Sequence, residues 1–209
     1  VRDLASQSRE VFAVDSVQIV RGSDSTLGGR GSAGGTINIL SKLPQASSFG
    51  SASVSYGNAD YKRVTADVNL RVSDTAAFRI EGVWHDQNVA GRDAVSARRW
   101  GIAPSVTFGL GTPTRLTVGF YRLESHELPD SGIPYLNVCT ATNCTLPAGT
   151  VFTTPAIGTV TTRGGQTGTI SRNTFYGLKN RDFRDATTNQ ATLRVEHDFG
   201  DGITLRNTA

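Results

Sequence analysis

Hydrophobic and polar residues alternate along four stretches of the chain. Residues 64–72, 78–84, 100–110 and 191–199 place apolar side chains at most second positions, with polar, charged or small ones between them. A period of two sends these sets to opposite faces of a β-sheet. One apolar face and one charged face are typical of a transmembrane β-barrel with a wet lumen. A soluble sandwich with an apolar core shows the same alternation, so both interpretations stay open here.

The spacing of these strands separates the two interpretations. Two short strands are predicted at 17–20 and 36–40, followed by hairpins. The hairpin strands are predicted at 51–56, 61–73, 76–87, 98–110, 115–124 and 187–199 and from 203 onward. Connections after the second, fourth and sixth of these are short, whereas those after the third and fifth are long. Outer-membrane barrels have short turns at one end and long loops at the other, so this asymmetry favours the barrel.

Composition limits the class of protein. Apolar residues make up 37% of the 209 residues, the mean hydropathy is -0.23, and no run approaches the ~20 apolar residues of a transmembrane helix. The net charge of +3 comes from 21 basic and 18 acidic residues that are mostly interspersed. A nucleic-acid binder has a clustered basic face, so nucleic acid is not an expected partner. Because there is no methionine and no signal segment precedes Val1, we expect a fragment of a larger protein.

Motifs for catalysis or cofactor binding lack their context. Gly29–Gly34 satisfies G-x-G-x-x-G, but a β-branched strand follows it, whereas the dinucleotide motif opens a helix. The three histidines are His85, His126 and His197, and they lie on separate predicted strands or rims. His126-Glu127 lacks the second histidine of H-E-x-x-H, and no G-x-S-x-G occurs. No catalytic residue, metal site or enzyme activity is therefore predicted.

The only two cysteines lie close together in the longest loop. Cys139 and Cys144 are separated by four residues. A metal site needs more ligands nearby than this loop offers, whereas an oxidising compartment permits a local bridge. We predict a disulfide between them.

Several segments of the chain resemble a known family. Residues 17–22 (VQIVRG), 27–38 (LGGRGSAGGTIN) and 41–44 (SKLP) resemble the end of the plug domain of TonB-dependent siderophore receptors. VRDL at the start, REVF at 9–12, NTFYGL at 173–178 and RDFRD at 181–185 resemble the catecholate branch of that family. Ser23 and Gly29 depart from the family pattern, which usually has Pro and Tyr there.

The resemblance implies an all-β fold in two parts. Residues 1–46 would be the C-terminal part of a plug domain, and residues 47–209 the first seven strands of a transmembrane antiparallel β-barrel. It also implies a receptor in the bacterial outer membrane that imports a ferric siderophore, of catecholate type, with energy relayed by TonB through a segment outside this chain. Iron would arrive as the siderophore chelate, with no cofactor or metal bound directly. Two alternatives remain: a receptor of this family for another nutrient, and a soluble secreted β-sandwich that acts as a binding module.

The candidate site residues form two sets. Residues 131–181 contain no carboxylate, so the long loops are basic and favour an anionic ligand, or else bind the anionic lipopolysaccharide surface. The resemblance implies that two plug residues, Arg9 and Phe12, approach the ligand from below. With them, the predicted ligand-binding residues are Arg92, Arg163 and Arg172 in the loops. Alternation turns wall carboxylates towards the lumen, and the predicted plug–barrel contacts are Arg21 and Arg30 with Glu81 or Glu196.

Overall fold

The computed structural model describes residues 10–22, 34–130, 132–133, 159–161 and 167–209, and these residues form an all-β structure. The strands are β1 (Val14–Arg21), β2 (Gly35–Ser41), β3 (Phe49–Gly57), β4 (Tyr61–Arg71), β5 (Ala76–Asn88), β6 (Ser96–Phe108), β7 (Thr114–Leu128), β8 (Thr159–Thr161), β9 (Thr167–Thr169), β10 (Arg184–Gly200) and β11 (Ile203–Thr208). In the part of the chain that is described, no helix is long and apolar enough to span a membrane.

Seven of these strands form one antiparallel sheet, which we call the wall. Its order is β11-β10-β7-β6-β5-β4-β3, so each strand pairs with the wall strand before and after it in the chain. β1 and β2 form a separate hairpin, and so do β8 and β9. We call residues 10–22 and 34–46 the N-terminal segment. The predicted succession of seven hairpin-linked strands is confirmed.

The wall strands β7 and β10 extend further than the sequence pattern predicts. Their pairing runs from Arg184 opposite Glu127 to His197 opposite Thr114. At the end nearest the long connection, Arg184 forms an ion pair with Glu127, and His126 shares a hydrogen bond with Asp185. Polar pairs across neighbouring strands stabilise a sheet, so the ladder continues into residues that alternation alone does not mark as strand. The long connection therefore begins after Leu128, not at residue 125.

The two faces of the wall have opposite polarity. On the outer face, large apolar side chains are exposed, for example Val54 at 77%, Leu70 at 50% and Leu193 at 47%. On the inner face, which the N-terminal segment contacts, buried positions are largely polar: Asp67, Asn69, Arg79, Glu81, His85, Thr107, Thr117, Ser125, Glu127 and Glu196. A soluble sandwich buries its apolar face instead. This inversion is typical of a transmembrane barrel wall.

Aromatic residues mark the upper end of the outer face, towards the β5–β6 loop. Trp84 and Trp100 lie directly opposite each other on β5 and β6. The Arg122 guanidinium lies 5.8 Å from the centre of the Trp100 ring, and the Trp100 indole donates a hydrogen bond to Glu124 at 3.0 Å. Phe108, half exposed, follows Trp100 by eight residues, a distance of about 26 Å along a strand. Because the strands of such barrels are tilted, this corresponds to roughly 20 Å in height, close to the ~25 Å apolar band between two aromatic girdles.

The N-terminal segment meets the wall through its two ends. Residues 10–13 precede β1, and residues 42–46 follow β2. The β1–β2 hairpin between them pairs Val17 with Ile39 and Ile19 with Ile37. β2 ends at Ser41 and β3 begins at Phe49, which brackets the predicted boundary at residue 46; the division into two domains stays a prediction.

Candidate functional site

Side chains on the inner face are arranged in rows because neighbouring strands are in register. The upper row contains Arg63, His85, Arg99 and Ser125, directly opposite one another on β4, β5, β6 and β7. The middle row contains Thr65, Val83, Gly101 and Leu123, and the lower row Asp67, Glu81 and Ala103. The upper row lies nearest the long loops. The rows therefore change from cationic, through apolar, to acidic as they descend.

Phe12 packs against the middle row, in a space that we call the Phe12 seat. Its side chain is 6% exposed and packs with Ala13, Val83, Ala103 and Leu123. Its ring stacks on Tyr121 with 5.5 Å between centroids and 19° between planes. A Cβ atom at Gly101 would lie 2.9 Å from Phe12 Cε1, closer than carbon atoms pack. Glycine at position 101 therefore makes room for the ring.

Glu10 binds the two arginines of the upper row. Its Oε2 accepts from Arg63 Nη2 at 2.7 Å, and its Oε1 from Arg99 Nη1 at 2.9 Å. The Glu10 side chain is only 4% exposed. Burial alone would raise the pKa of Glu10, but the hydrogen bond and charge of Arg63, with the charge of Arg99, outweigh it and hold this pKa below its ordinary value. Glu10 is therefore a carboxylate at neutral pH.

His85 lies between these two arginines. Its side chain is 4% exposed, and its ring meets Tyr61 edge-on with 5.3 Å between centroids. Within the described residues, neither ring nitrogen has a hydrogen-bond partner. Further along, Glu127 Oε1 lies 3.5 Å from Arg99 Nε. The upper row is thus buried and mainly cationic, and in the described part of the N-terminal segment Glu10 is the carboxylate that binds it.

The lower row binds the C-terminal end of the N-terminal segment through Lys42. Lys42 Nζ donates to Asp67 Oδ2 and to the Phe12 carbonyl, both at 2.9 Å. Arg79 donates to both oxygens of Asp67, at 2.9 and 2.8 Å, and its Nε lies 3.0 Å from Glu81 Oε1. Lys42 therefore links Phe12 to Asp67 of the wall.

Asn69 fixes the chain between the N-terminal segment and β3. It is fully buried. Its Nδ2 donates to the carbonyls of Gln45 and Ser47 at 2.9 and 2.6 Å, and its Oδ1 accepts from the Gln45 N–H at 3.0 Å. One side chain thus satisfies three backbone groups that no strand ladder pairs.

Two loops are held together above the upper row. Arg92 donates to Asp130 Oδ1 at 2.7 Å, to the Gly132 carbonyl at 3.1 Å, and to the Arg172 carbonyl. Hydrogen bonds from the Gly132 N–H and from Arg92 lower the pKa of Asp130. Beneath these contacts, Val95, Leu128 and Phe175 form a small apolar cluster. Arg92 therefore joins the β5–β6 loop to residues on both sides of the longest connection.

The predicted ligand-binding residues lie in different environments. Phe12 is on the inner face, beside Tyr121. The Arg92 side chain is only 10% exposed and is engaged between loops, whereas Arg172 is exposed. Arg9 and Arg163 lie outside the described residues, as do Arg30, Cys139 and Cys144. Ligand binding by this set and the disulfide stay predictions.

The two carboxylates predicted to contact Arg21 or Arg30 pair with arginines of the wall in the described residues. Arg21 is exposed on β1. Glu81 pairs with Arg79, and Glu196 lies in ion pairs with Arg194, Arg206 and Arg115. Arg79 and Arg194 each stand two residues before the acid, on the same face and about 6.6 Å along the strand, so the wall supplies partners locally. The ion pairs between segment and wall in the described residues use Glu10 and Lys42, which sequence reasoning missed.

The described residues contain no group of three or more His, Cys, Asp or Glu side chains placed to hold a metal ion. What the site offers is a pair of guanidiniums, neighbouring aromatic rings and buried carboxylates. Such a set binds anions and aromatic groups.

Comparison with known proteins places these features in a wider context. No family model matches the chain. The chain is 38% identical over 210 residues to the probable TonB-dependent siderophore receptor PiuA of Acinetobacter baumannii, covering all of this chain and 26% of that protein. It is 38% identical over 208 residues to the catecholate siderophore receptor Fiu of Escherichia coli K12, again covering 26% of the relative. The chain thus spans about a quarter of these relatives.

The fold agrees with a solved relative. The crystal structure of the ferric-catecholate import receptor Fiu from E. coli K12, in its closed form, superposes with a TM-score of 0.77 at 37% identity. The match covers 100% of this chain and 27% of that one.

Proposed function

We infer that this chain, a member of the TonB-dependent siderophore receptors of the bacterial outer membrane, supplies plug and barrel residues to the ligand site of a receptor that imports ferric siderophore. Two relatives that match the whole of this chain, PiuA and Fiu, are named as siderophore receptors. The seven wall strands and the N-terminal segment are parts of the barrel and the plug. Energy would come from TonB, which would bind a segment outside this chain.

The observation that carries the proposal is the juxtaposition of arginine and aromatic groups on the inner face. Arg63 and Arg99 lie one row above the seat of Phe12, and Tyr121 stacks on that ring. A ferric catecholate is an anion surrounded by aromatic rings. Guanidinium groups suit both its charge and its ring faces, and a field that converges in a low-dielectric cleft speeds the capture of an anion.

The proposed ligand site extends upward from these residues. Phe12, Arg63, Arg99 and Tyr121 form its floor, and Arg9 would join them from the preceding residues. Arg92 would act by holding the loops in place, while Arg163 and Arg172 would contribute charge at the mouth. Iron would enter as the chelate, so the protein itself would bind no metal ion.

The test uses the full-length receptor and a ferric tris-catecholate, a triply negative complex, in titration calorimetry. Arg63→Gln should weaken its binding about tenfold or more, because a charge-assisted contact to an anion is lost. Lys62→Gln is the matched control, since Lys62 is the exposed neighbour on the opposite face of β4. Binding of the wild type should weaken as salt rises.

A neutral ferric tris-hydroxamate tests the ligand class. If it bound as tightly as the tris-catecholate, with no salt dependence and no effect of Arg63→Gln, the catecholate proposal would be wrong and another nutrient would have to be sought. Growth on ferric catecholate as the sole iron source should require both this receptor and TonB.

We also propose that the outer face contacts lipopolysaccharide near the Trp84–Trp100 pair. Arg98 forms an ion pair with Asp86 just above Trp84, and Arg122 lies against the Trp100 ring and pairs with Glu124; all of these groups are on the outer face. Cationic groups beside an aromatic belt suit the phosphates of an anionic leaflet. Substituting Arg98 and Arg122 by Gln should lower the lipopolysaccharide that copurifies with the receptor, and an unchanged amount would refute this contact.

A further inference from the structure

We propose that Glu10 competes with the ligand for the upper-row arginines, so that an anionic chelate must displace the Glu10 carboxylate from Arg63 and Arg99 and thereby loosens the N-terminal segment from the wall. This inference rests on the proposed function. It adds a means by which occupancy of the ligand site is passed to the plug.

The geometry gives Glu10 the place that a ligand anion would take. Its two oxygens are bonded to guanidiniums from two different strands, at 2.7 and 2.9 Å. The pair of arginines is joined on one side by Glu127, which also pairs with Arg184. Among the described residues, the linked set consists of the guanidiniums of Arg63, Arg99 and Arg184 and the carboxylates of Glu10 and Glu127. The guanidiniums of this set therefore attract an incoming anion even while Glu10 is bound.

Exchange is chemically more reasonable than simple loss of Glu10. Buried guanidiniums are unfavourable without an anion beside them. If the oxygens of a chelate replace those of Glu10, each arginine keeps a charged partner throughout. The lowered pKa of Glu10 means that it competes as an anion at neutral pH, and not as a neutral acid that would leave freely.

Displacement of Glu10 would shift the residues that follow it in the chain. Glu10 is two residues from the buried ring of Phe12, and a turn closed by the Val14 N–H and the Val11 carbonyl, 3.0 Å apart, leads directly into β1. The Phe12 carbonyl is held by Lys42. Residues 10–14 are thus a short, tightly bonded link between the arginine pair and the β1–β2 hairpin.

The proposal is tested by whether Glu10→Gln raises or lowers the affinity for the ligand. In the full-length receptor, Glu10→Gln should bind ferric tris-catecholate about tenfold more tightly, equivalent to about 1.4 kcal/mol, because the competing charge is removed. Asp201→Asn makes the same charge change at the exposed β10–β11 turn and should leave the affinity unchanged. A neutral ferric tris-hydroxamate should show no gain with Glu10→Gln.

Hydrogen exchange on the wild-type receptor provides a test that needs no variant. Adding ferric tris-catecholate should speed amide exchange at residues 10–14, and slower exchange there would overturn the inference. Equal or weaker binding by Glu10→Gln would overturn it as well, since Glu10 would then only support Phe12. A wild-type receptor that binds no tris-catecholate would refute the proposed function and this inference together, whereas binding without the gain refutes the inference alone.

Discussion

Replacing Gly101 by alanine would push a methyl group into the seat of Phe12. The added Cβ would lie 2.9 Å from Cε1 and 3.0 Å from Cζ of that ring, and 3.0 Å from the Arg122 carbonyl oxygen. Carbon atoms pack at about 3.5–4.0 Å, so the ring must move by roughly half an ångström or more. Overpacking of this kind costs about 1–3 kcal/mol. Full loss of the Phe12 contacts, about 3–5 kcal/mol for Phe→Ala, is the upper limit.

The measurement is the free energy of unfolding of the full-length receptor in detergent micelles, from urea titrations followed by near-UV circular dichroism. Gly119→Ala is the matched control: Gly119 is also in a wall strand, and its Cβ would meet Ser105 Cβ at an ordinary 3.7 Å. We expect Gly101→Ala to lower the free energy of unfolding by about 1–3 kcal/mol and Gly119→Ala to change it by much less.

A double-mutant cycle distinguishes a clash of the added methyl group with the Phe12 ring from a clash with the Arg122 carbonyl. With Phe12→Ala already present, Gly101→Ala should cost much less, because the added methyl group then occupies space that the ring has left. If Gly101→Ala cost the same in both backgrounds, the clash would be with the Arg122 carbonyl alone. The reasoning that glycine is needed there to seat Phe12 would then be refuted.

Contacts elsewhere on the inner face and between the loops can be tested in the same receptor. Asn69→Ala should lower the free energy of unfolding by about 1–3 kcal/mol, because buried backbone groups at Gln45 and Ser47 lose their partner; unchanged urea curves would contradict this. Arg92→Gln should make residues 171–178 more susceptible to limited proteolysis, and an unchanged cleavage pattern would show that the loops do not need this contact. For Glu10 the pKa is lowered from 4.5, so the carboxylate stabilises the folded state above pH 4.5, and this contribution is lost as the pH falls below that value. The difference in thermal midpoint between wild type and Glu10→Gln should therefore be constant near neutral pH and shrink only in acid; a difference that shrank already near pH 7 would contradict it.

The sequence alone predicted the order of the wall strands, the face on which their side chains lie, and the family to which the chain belongs. Alternation with period two is local, so it assigns Asp67, Glu81 and Glu196 to one face without any knowledge of their neighbours. Short turns of Gly, Asp and Pro mark where each hairpin reverses. The glycine-rich stretch and the SKLP segment indicate the family in the same local way.

The tertiary structure alone decided which charges meet. Glu10 bonds to Arg63 and Arg99, which are 53 and 89 residues away, and nothing in the local pattern relates those positions. The pairing of Lys42 with Asp67 depends on the height at which the N-terminal segment docks against the rows of the wall. Strand register aligns Arg63, His85 and Arg99, and docking then selects the carboxylate that they bind. Alternation determines the face on which a side chain lies, but its partner depends on register and docking, which arise only when distant parts of the chain pack together.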